Sequence, residues 1–374
     1  MHVNSTAGRA LKLLVCHPGA SWSTADVEAG LLYGLKDHPV QVIRYALDGR
    51  ITGATTWLMG AWRRKKKEGI DLPRPTQADI LYQAGMGVLE RALRHQVDVV
   101  LVVSGMYLHP DVVVLMRRAG LLVTVLMTES PYDMEPELKM AALVHGVWTN
   151  ERSAVEAFRS VCPNAAYLPH GWHPERHKPG QQPGDEAVRA HDVVFVGSGF
   201  AERVQWFRAI DWTGIDLGLY GNWDCLSSRD KLRQYVCGRE TDNPTAAALY
   251  RRAKIGLNLY RQSKGFGKAA PRIAPGSAQS LSPRAYELAA CGVFHLSEAR
   301  AEVREVFGDA VPTFSSPAEA AALIRTWLAD DVGRQRIAAS LPAMVAESSW
   351  SHRAAQVMSD LTALVDARRS QRVA

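Results

Sequence analysis

Short apolar runs rich in Val, Leu and Ile alternate with amphipathic stretches along most of the chain, which is the pattern of β-α repeats. The runs show little alternation with polar residues, as expected for strands of a parallel sheet that is covered on both faces. In the first half, the pattern predicts strands at residues 11–17, 40–46, 97–104, 122–128 and 146–150. Helices are predicted there at residues 25–35, 77–94, 111–118 and 153–161.

A break in this pattern divides the chain near its middle. Proline, glycine and polar residues without periodicity predict a linker at residues 174–188. The alternation then restarts, with strands predicted at residues 192–197, 216–220, 255–259 and 293–297, and helices at 202–210, 245–253 and 283–291. Three further helices are predicted at residues 318–329, 332–346 and 352–365.

This organisation predicts an α/β protein of two Rossmann-like domains. The N-terminal domain would comprise residues 1–173, and the C-terminal domain, residues 189–374, would carry the terminal helices. Ligands of doubly wound domains bind outside the carboxyl ends of the strands. We therefore expect the two domains to face each other across a cleft that holds the site.

Composition narrows the class of protein. With 374 residues, 47% hydrophobic and 22% charged, the chain is long enough for two cores and typical of a globular rather than a disordered protein. It has no apolar run of about 18 residues and no apolar stretch of a signal peptide near its start. We expect a cytoplasmic protein without membrane insertion. Five scattered cysteines predict neither a disulfide framework nor a zinc site.

The chain is moderately basic, and part of its positive charge is concentrated in one segment. A net charge of +6 and a pI near 9.1 suit an anionic ligand. Five consecutive cations contribute to it: Arg63, Arg64, Lys65, Lys66 and Lys67. The run has two interpretations, a solvated loop or a contact with a polyanion such as nucleic acid. No recognisable nucleic-acid-binding motif accompanies it.

Four stretches of the second half occur in a characteristic order. They are residues 167–171 (YLPHG), 192–199 (DVVFVGSG) with Arg203 after them, 249–259 (LYRRAKIGLNL) and 283–292 (PRAYELAACG). Together they resemble the group 1 superfamily of glycosyltransferases, which have the GT-B fold. The likeness is greatest to the branch named after the spore-maturation glycosyltransferases. It extends from about residue 144 to the C-terminus and covers the N-terminal part in outline.

The resemblance implies that the C-terminal domain binds a nucleotide-diphosphate sugar. Glu287 would accept hydrogen bonds from the two ribose hydroxyls, a charge-assisted pairing. The structural alternative is that its charge complements the dipole of the predicted helix. Relatives often carry a second glutamate eight positions earlier, near the sugar, whereas this chain has Gln279 there.

The phosphates are expected at the turn formed by Gly197, Ser198 and Gly199. Small residues let the backbone approach a phosphate, and a helix N-terminus supplies N–H groups; a plain tight turn is the alternative. Basic side chains would stabilise the departing diphosphate, and an exposed ion pair is the alternative for each. The remaining predicted donor contacts are Arg203, Tyr220, Gly221, Lys268, Ser282 and Arg284.

The chemistry expected from these residues needs no metal. The sequence contains no Asp-x-Asp pair, which holds a divalent cation in glycosyltransferases of the other major fold. We expect no metal and no other cofactor. A catalytic base would come from the N-terminal loops, where Glu129 and His109 are the candidates. A structural role is the alternative for both, and group 1 relatives are mostly retaining enzymes that need no protein base.

The sequence thus predicts a hexosyltransferase-like enzyme that moves a sugar from a nucleotide-diphosphate donor to an acceptor hydroxyl. The acceptor stays open among protein, glycan, small molecule and hydroxylated DNA base. One alternative is a non-catalytic sugar-nucleotide-binding protein, which Gln279 favours. Another is a nicotinamide-dependent dehydrogenase, but no G-x-G-x-x-G follows the first predicted strand.

Overall fold

The chain forms two compact units in a computed structural model, which describes residues 10–19, 24–239, 241–264, 272–274 and 276–373. The first unit comprises Met1–Asn150, Ala154–Leu168 and Ala354–Ala374. The second unit comprises Glu151–Ser153 and Pro169–Arg353. Each unit has its own parallel sheet and its own hydrophobic core.

The sheet of the first unit has six parallel strands: β1 (Leu11–His17), β2 (Val40–Ala46), β3 (Val99–Val103), β4 (Leu122–Met127), β5 (Gly146–Thr149) and β6 (Ala165–Tyr167). Their order is β2-β1-β3-β4-β5-β6. The helices are α1 (Ala25–Leu35), α2 (Asp48–Lys67), α3 (Gln77–His95), α4 (Pro110–Arg118), α5 (Met134–Ala141) and α6 (Val155–Arg159). Every residue of β3 and β4 is buried, because helices cover both faces of the sheet.

The sheet of the second unit also has six parallel strands: β7 (His191–Val196), β8 (Leu217–Tyr220), β9 (Val236–Gly238), β10 (Ala253–Asn258), β11 (His295–Glu298) and β12 (Thr313–Phe314). Their order is β12-β11-β10-β7-β8-β9. The helices are α7 (Ala201–Arg208), α8 (Asn243–Arg251), α9 (Pro283–Ala290), α10 (Ala301–Phe307), α11 (Pro317–Ala329) and α12 (Asp331–Met344). These sheets confirm the predicted α/β class with two Rossmann-like domains and C-terminal helices.

An aromatic cluster supports the carboxyl end of β7. The ring of Phe195 lies 5.3 Å from that of Phe207 and 6.1 Å from that of Trp223, measured between centroids. All three side chains are fully buried. Edge-to-face rings of this kind pack with defined geometry, so they fix the strand end next to which the candidate site lies.

The long helix α13 (Trp350–Val373) begins in the second unit and continues in the first. In the first unit, Trp148 Nε1 donates to Asp360 Oδ2 at 2.8 Å, and Arg368 Nη2 donates to the carbonyl oxygen of Gly120 at 2.7 Å. Residues 354–373 therefore belong to the first unit, whereas the sequence pattern places them in the C-terminal domain. No helix in the described ranges is long and apolar enough to cross a membrane.

The segment predicted as a linker, residues 174–188, lies within the second unit. Asp185 forms an ion pair of 2.6 Å with Arg251 of α8, and both side chains are almost fully buried. A carboxylate so placed anchors the segment, since an unpaired charge would be costly to bury.

The five consecutive cations at residues 63–67 lie at the C-terminal end of α2 rather than in a loop. Cations at this end complement the helix dipole. The helix escaped the pattern analysis because Gly49, Gly53 and Gly60 lower its propensity, and because Ala54 is its only buried residue.

Candidate functional site

The connections of the second sheet diverge between β7 and β10, because β7 leads to β8 on one side and β10 leads to β11 on the other. Ligand crevices of open α/β sheets lie at such a switch point, outside the carboxyl ends of the strands. The turn at residues 197–199 follows β7 directly and leads into α7. Several predicted donor contacts therefore gather at one edge of the second unit.

Glycine is required at two positions of this edge. A Cβ on Gly199 would lie 2.6 Å from Cε3 of the buried Trp223. A Cβ on Gly221, whose φ is 113°, would lie 2.8 Å from the carbonyl oxygen of Gly197. The strand ends of β7 and β8 therefore approach each other more closely than any side chain would permit.

Three amide groups of the turn are already used within the unit. The N–H of Gly197 donates to Tyr220 O at 2.8 Å, and that of Gly199 donates to Asn222 O at 2.8 Å. The N–H of Phe200 donates to the carbonyl oxygen of Ser198 at 3.0 Å. Among the described residues, no acceptor binds the N–H of Ser198. An anion here would meet Ser198 and the first turn of α7 rather than the whole glycine turn.

Two guanidinium groups converge on the carboxyl ends of β7 and β10. Arg284 donates from Nε to Val196 O at 2.7 Å and from Nη1 to Leu259 O at 3.1 Å. Arg203, which is 8% exposed, donates from Nη1 to Ser198 O and from Nη2 to Leu259 O, both at 3.0 Å. Both side chains therefore tie the strand ends together.

Arg284 also has N–H donors that bind no acceptor among the described residues. Within the described parts of the chain, its Nη2 has no acceptor and no carboxylate forms an ion pair with it. A Cβ on Gly197 would lie 2.5 Å from this nitrogen, so the guanidinium lies directly against the glycine turn. The exposed ion pair weighed for Arg284 is absent from the described structure, and the charge is available to an anion.

Glu287 lies in the second turn of α9 and is 8% exposed. Its Oε1 accepts from Asn243 Nδ2 at 3.1 Å, and its Oε2 accepts from the hydroxyl of Tyr250 at 3.4 Å. Burial raises the pKa of the Glu287 carboxyl. The position beyond the first helical turn disfavours the dipole interpretation. Each carboxylate oxygen retains a second lone pair that could accept from a ligand hydroxyl.

A buried histidine lies beside this carboxylate. His177 Nδ1 accepts the N–H of His173 at 2.9 Å, which assigns the imidazole proton to Nε2. That Nε2 lies 3.9 Å from Glu287 Oε1 and has no hydrogen-bond partner in the described chain. Burial lowers the pKa of His177 to about 3, so the ring stays neutral. Sequence reasoning missed His177 and Asn243, because only the fold brings the 174–188 segment and α8 to α9.

Two buried carboxylates hold the segment before α9. Glu151 accepts the N–H of Gln279 at 3.1 Å and that of Ser280 at 3.2 Å. Glu302 accepts the N–H of Leu281. Because these amides are already bonded, the segment is fixed in place rather than waiting for a ligand to order it.

Two of the predicted positions lie on this segment. Ser282, the residue before α9, donates its hydroxyl to Asn258 Oδ1 at 2.7 Å. Gln279 lines a cavity of about 970 Å³ together with Tyr260 and Arg300. Its lining also includes Glu298 of β11 and Thr313 of β12.

Tyr220 reaches the site through its backbone alone. Its hydroxyl is hydrogen-bonded to His191 Nε2 at 2.9 Å, and burial raises the pKa of Tyr220 to about 12. The side chain is therefore occupied inside the unit. Lys268, the remaining predicted contact, lies outside the described residues.

The two candidate bases lie in loops that follow strands of the first unit. The N–H of Glu129 donates to Oε1 of the buried Glu137 at 2.9 Å, and burial raises the pKa of Glu137 to about 7. His109 is the N-cap of α4 and accepts the N–H of Asp111 at 3.2 Å. Capping accounts for the position of His109 in structural terms. A catalytic role of Glu129 or His109 stays a prediction.

A further histidine–carboxylate pair ends β1. His17 Nε2 lies 3.6 Å from Glu28 Oε1, and Arg44 holds this carboxylate with two hydrogen bonds of 2.7 and 3.0 Å. Burial lowers the pKa of His17. The apolar pattern predicts residue 17 at the end of a strand, and a polar residue at a strand end is the signal by which its imidazole can be found.

Residues 203–359 match a protein family described as glycosyl transferase-like. The matched segment includes Arg203, Arg284 and Glu287. No curated protein sequence matches the chain.

The whole chain is similar in fold to solved structures of low sequence identity. A sucrose-phosphate synthase from Thermosynechococcus elongatus has a TM-score of 0.65 at 14% identity, over 96% of this chain and 100% of that one. An alpha,alpha-trehalose 6-phosphate synthase from Burkholderia multivorans has a TM-score of 0.58 at 12% identity, over 96% and 100%. The E. coli trehalose-6-phosphate structure bound with UDP-2-fluoro glucose has a TM-score of 0.59 at 10% identity, over 94% and 98%.

These similarities define the fold of the chain. It has the GT-B fold, with two Rossmann-like domains and terminal helices. The match to the glycosyl transferase-like family covers residues 203–359, almost all of which lie in the second unit. The spore-maturation branch stays a prediction.

Proposed function

We propose that the protein is a cytoplasmic, hexosyltransferase-like enzyme that transfers a sugar from a nucleotide-diphosphate donor to an acceptor hydroxyl. The observation that carries the proposal is the Arg284 guanidinium, whose Nη2 has no acceptor among the described residues and lies against the Gly197 turn. This group lies at the switch point of the segment that matches the glycosyl transferase-like family. A diphosphate complements such a charge at a helix N-terminus.

The donor would extend over three neighbouring places in the second unit. Its diphosphate would accept from Arg284 Nη2 and Ser198 N–H, and its ribose hydroxyls would donate to Glu287. The sugar would enter the cavity lined by Gln279. Negative charge on the diphosphate grows as the glycosidic bond breaks, and a fixed guanidinium stabilises that charge without reorganising.

The acceptor would bind to the first unit, where Glu129, His109 and His17 follow strands. The neutral His17 could accept the proton of an acceptor hydroxyl, with Glu28 orienting its ring. An acceptor panel of proteins, glycans, small alcohols and hydroxymethylated DNA distinguishes the acceptor classes.

Gln279 favours a second candidate, a protein that binds the sugar nucleotide without turnover. Its amide replaces the carboxylate that relatives place near the sugar. Release of free nucleoside diphosphate in the presence of the acceptor panel supports the enzyme. Binding without release, across the whole panel, supports the alternative.

We expect Glu287→Gln to weaken the binding of nucleoside diphosphates by about 1–3 kcal/mol, because a neutral amide accepts a weaker hydrogen bond than a carboxylate does. Calorimetry with UDP, GDP and ADP measures this loss. Glu347→Gln, at an exposed position of the second unit, is the control.

A second comparison tests the ribose contact itself. The native protein should bind the 2′-deoxy form of its nucleotide more weakly, whereas Glu287→Gln should discriminate less between the two forms. Equal discrimination by both proteins would exclude Glu287 as the ribose acceptor and leave the diphosphate site untouched.

We also expect full transfer activity in excess EDTA. Arginine side chains, rather than a divalent cation, would neutralise the leaving diphosphate. Rates are compared before and after chelation with the same donor and acceptor. Activity that falls with EDTA and returns with Mn²⁺ would assign the neutralisation to a metal.

A further inference from the structure

Helix α2 contributes little to the core of the first unit. It is 20 residues long and packs along α3, yet Ala54 is its only buried residue. Trp57, in the middle of the helix, is 62% exposed. Exposing the large apolar surface of a Trp side chain to water costs more free energy than exposing most other side chains. Its exposure on a regular helix therefore points to a contact outside the unit.

The surface around Trp57 is basic. Arg50 and Arg64 lie seven residues before and after it, so all three share one face of the helix. Gly53 and Gly60 occupy the same face, and a Cβ on Gly53 would touch nothing within 4 Å. The indole therefore lies on a face of the helix whose other residues are small or basic.

The end of α2 adds charge and aliphatic surface. Among residues 63–67, Lys65 is the one cation with a carboxylate partner in the described structure, Glu68. Directly after the helix, Ile70 is 43% exposed and Leu72 is 45% exposed. Trp62 Nε1 donates to the carbonyl oxygen of Leu72 at 3.0 Å and so holds this turn against the helix.

We propose that α2 and the turn after it, residues 48–74, bind an anionic lipid surface, with the helix lying on the membrane. Lys and Arg side chains attract anionic headgroups, while Trp, Ile and Leu side chains enter the boundary between headgroups and acyl chains. The two contributions together anchor a protein more firmly than either one does.

The aliphatic side chains decide between a lipid surface and a nucleic acid. A DNA duplex attracts cations through its phosphates, and an indole can stack on unpaired bases. Neither offers an apolar environment for the exposed Ile70 and Leu72, which follow the cations along the chain. A lipid surface provides both the negative charge and the apolar environment. The proposal concerns the first unit and is independent of donor binding.

The test is flotation of the full-length protein with vesicles of phosphatidylcholine, with and without phosphatidylglycerol. We expect binding to the anionic vesicles to exceed binding to the neutral ones by at least about tenfold. Trp57→Ser combined with Leu72→Ser should lower binding to anionic vesicles by about tenfold or more without any change of charge. Val332→Ser, a 79% exposed apolar position of the second unit, is the matched control.

A charge variant completes the test. Replacing Lys65, Lys66 and Lys67 by Ser should lower the preference for phosphatidylglycerol, whereas replacing the exposed Lys178, Lys231 and Lys254 of the second unit should leave it unchanged. Thermal unfolding verifies that all variants fold.

Three results would overturn the proposal. The first is equal binding to both kinds of vesicle, or to neither. The second is tight binding to duplex DNA that is insensitive to Trp57→Ser and Leu72→Ser, which would assign the surface to nucleic acid. The third is a dimer that Trp57→Ser dissociates, since a second copy of the chain would then cover the helix.

Discussion

Replacing Arg284 by Met is expected to weaken the binding of nucleoside diphosphates by about 2–3 kcal/mol, which corresponds to a loss of about 30- to 150-fold in affinity. The guanidinium lies at the switch point and combines a positive charge with Nη2, which has no acceptor among the described residues. Met keeps the length and the apolar stem of the side chain but removes every N–H donor.

The loss of affinity should depend on whether the ligand carries the diphosphate. Affinity for the nucleoside alone should change little, because only the diphosphate is expected to contact Nη2. Arg284→Lys should recover part of the affinity, since it restores a charge but not the hydrogen bonds to Val196 O and Leu259 O. Arg189→Met, which removes an exposed arginine of the same unit, is the control.

A uniform loss for nucleosides and nucleoside diphosphates would contradict this assignment. Arg284 would then act only by tying the ends of β7 and β10 together. Thermal unfolding separates the two roles, because a side chain that merely joins strands lowers stability and affinity in parallel.

The second large effect is expected at Gly221, where Ala should lower the free energy of unfolding of the second unit by about 2–4 kcal/mol. The φ of 113° is strained for any residue with a side chain, and the added Cβ would lie 2.8 Å from a backbone oxygen that cannot turn away. Urea unfolding measures the loss through Trp206, Trp212 and Trp223, which report on this unit.

Gly214→Ala is the matched control. Its φ of 77° is also positive, but an added Cβ would meet nothing within 4 Å. We expect it to cost about 1 kcal/mol, the conformational term alone. Similar losses at both positions would show that the close approach of β7 and β8 contributes little to stability.

The central strands could be predicted from sequence because each is a short run of apolar residues, a pattern that polar positions do not interrupt. The predicted strand at residues 11–17 coincides with β1, and the strand at residues 122–128 differs from β4 by one residue. Both are buried on two faces, so apolar runs alone mark them. The short strands β9 and β12 were not predicted, because a strand of two or three residues at the edge of a sheet needs no apolar run.

The candidate site could be predicted only where residues adjacent in the sequence form it. The turn at residues 197–199 lies between a strand and a helix, and both were visible in the pattern. The partners of Glu287 were not, because Asn243 precedes it by 44 residues and His177 lies in a segment that reads as a linker. A buried carboxylate must be paired, but the sequence does not say by which residue.

Helix α13 gives the chain an unusual order of assembly during translation. The second unit ends at Arg353, so all of its residues leave the ribosome before residues 354–374 of the first unit do. Domains generally fold as units while the chain is still growing. The unit that starts first along the chain therefore finishes last, because Trp148 of β5 lacks its partner Asp360 until the second unit has been synthesised in full.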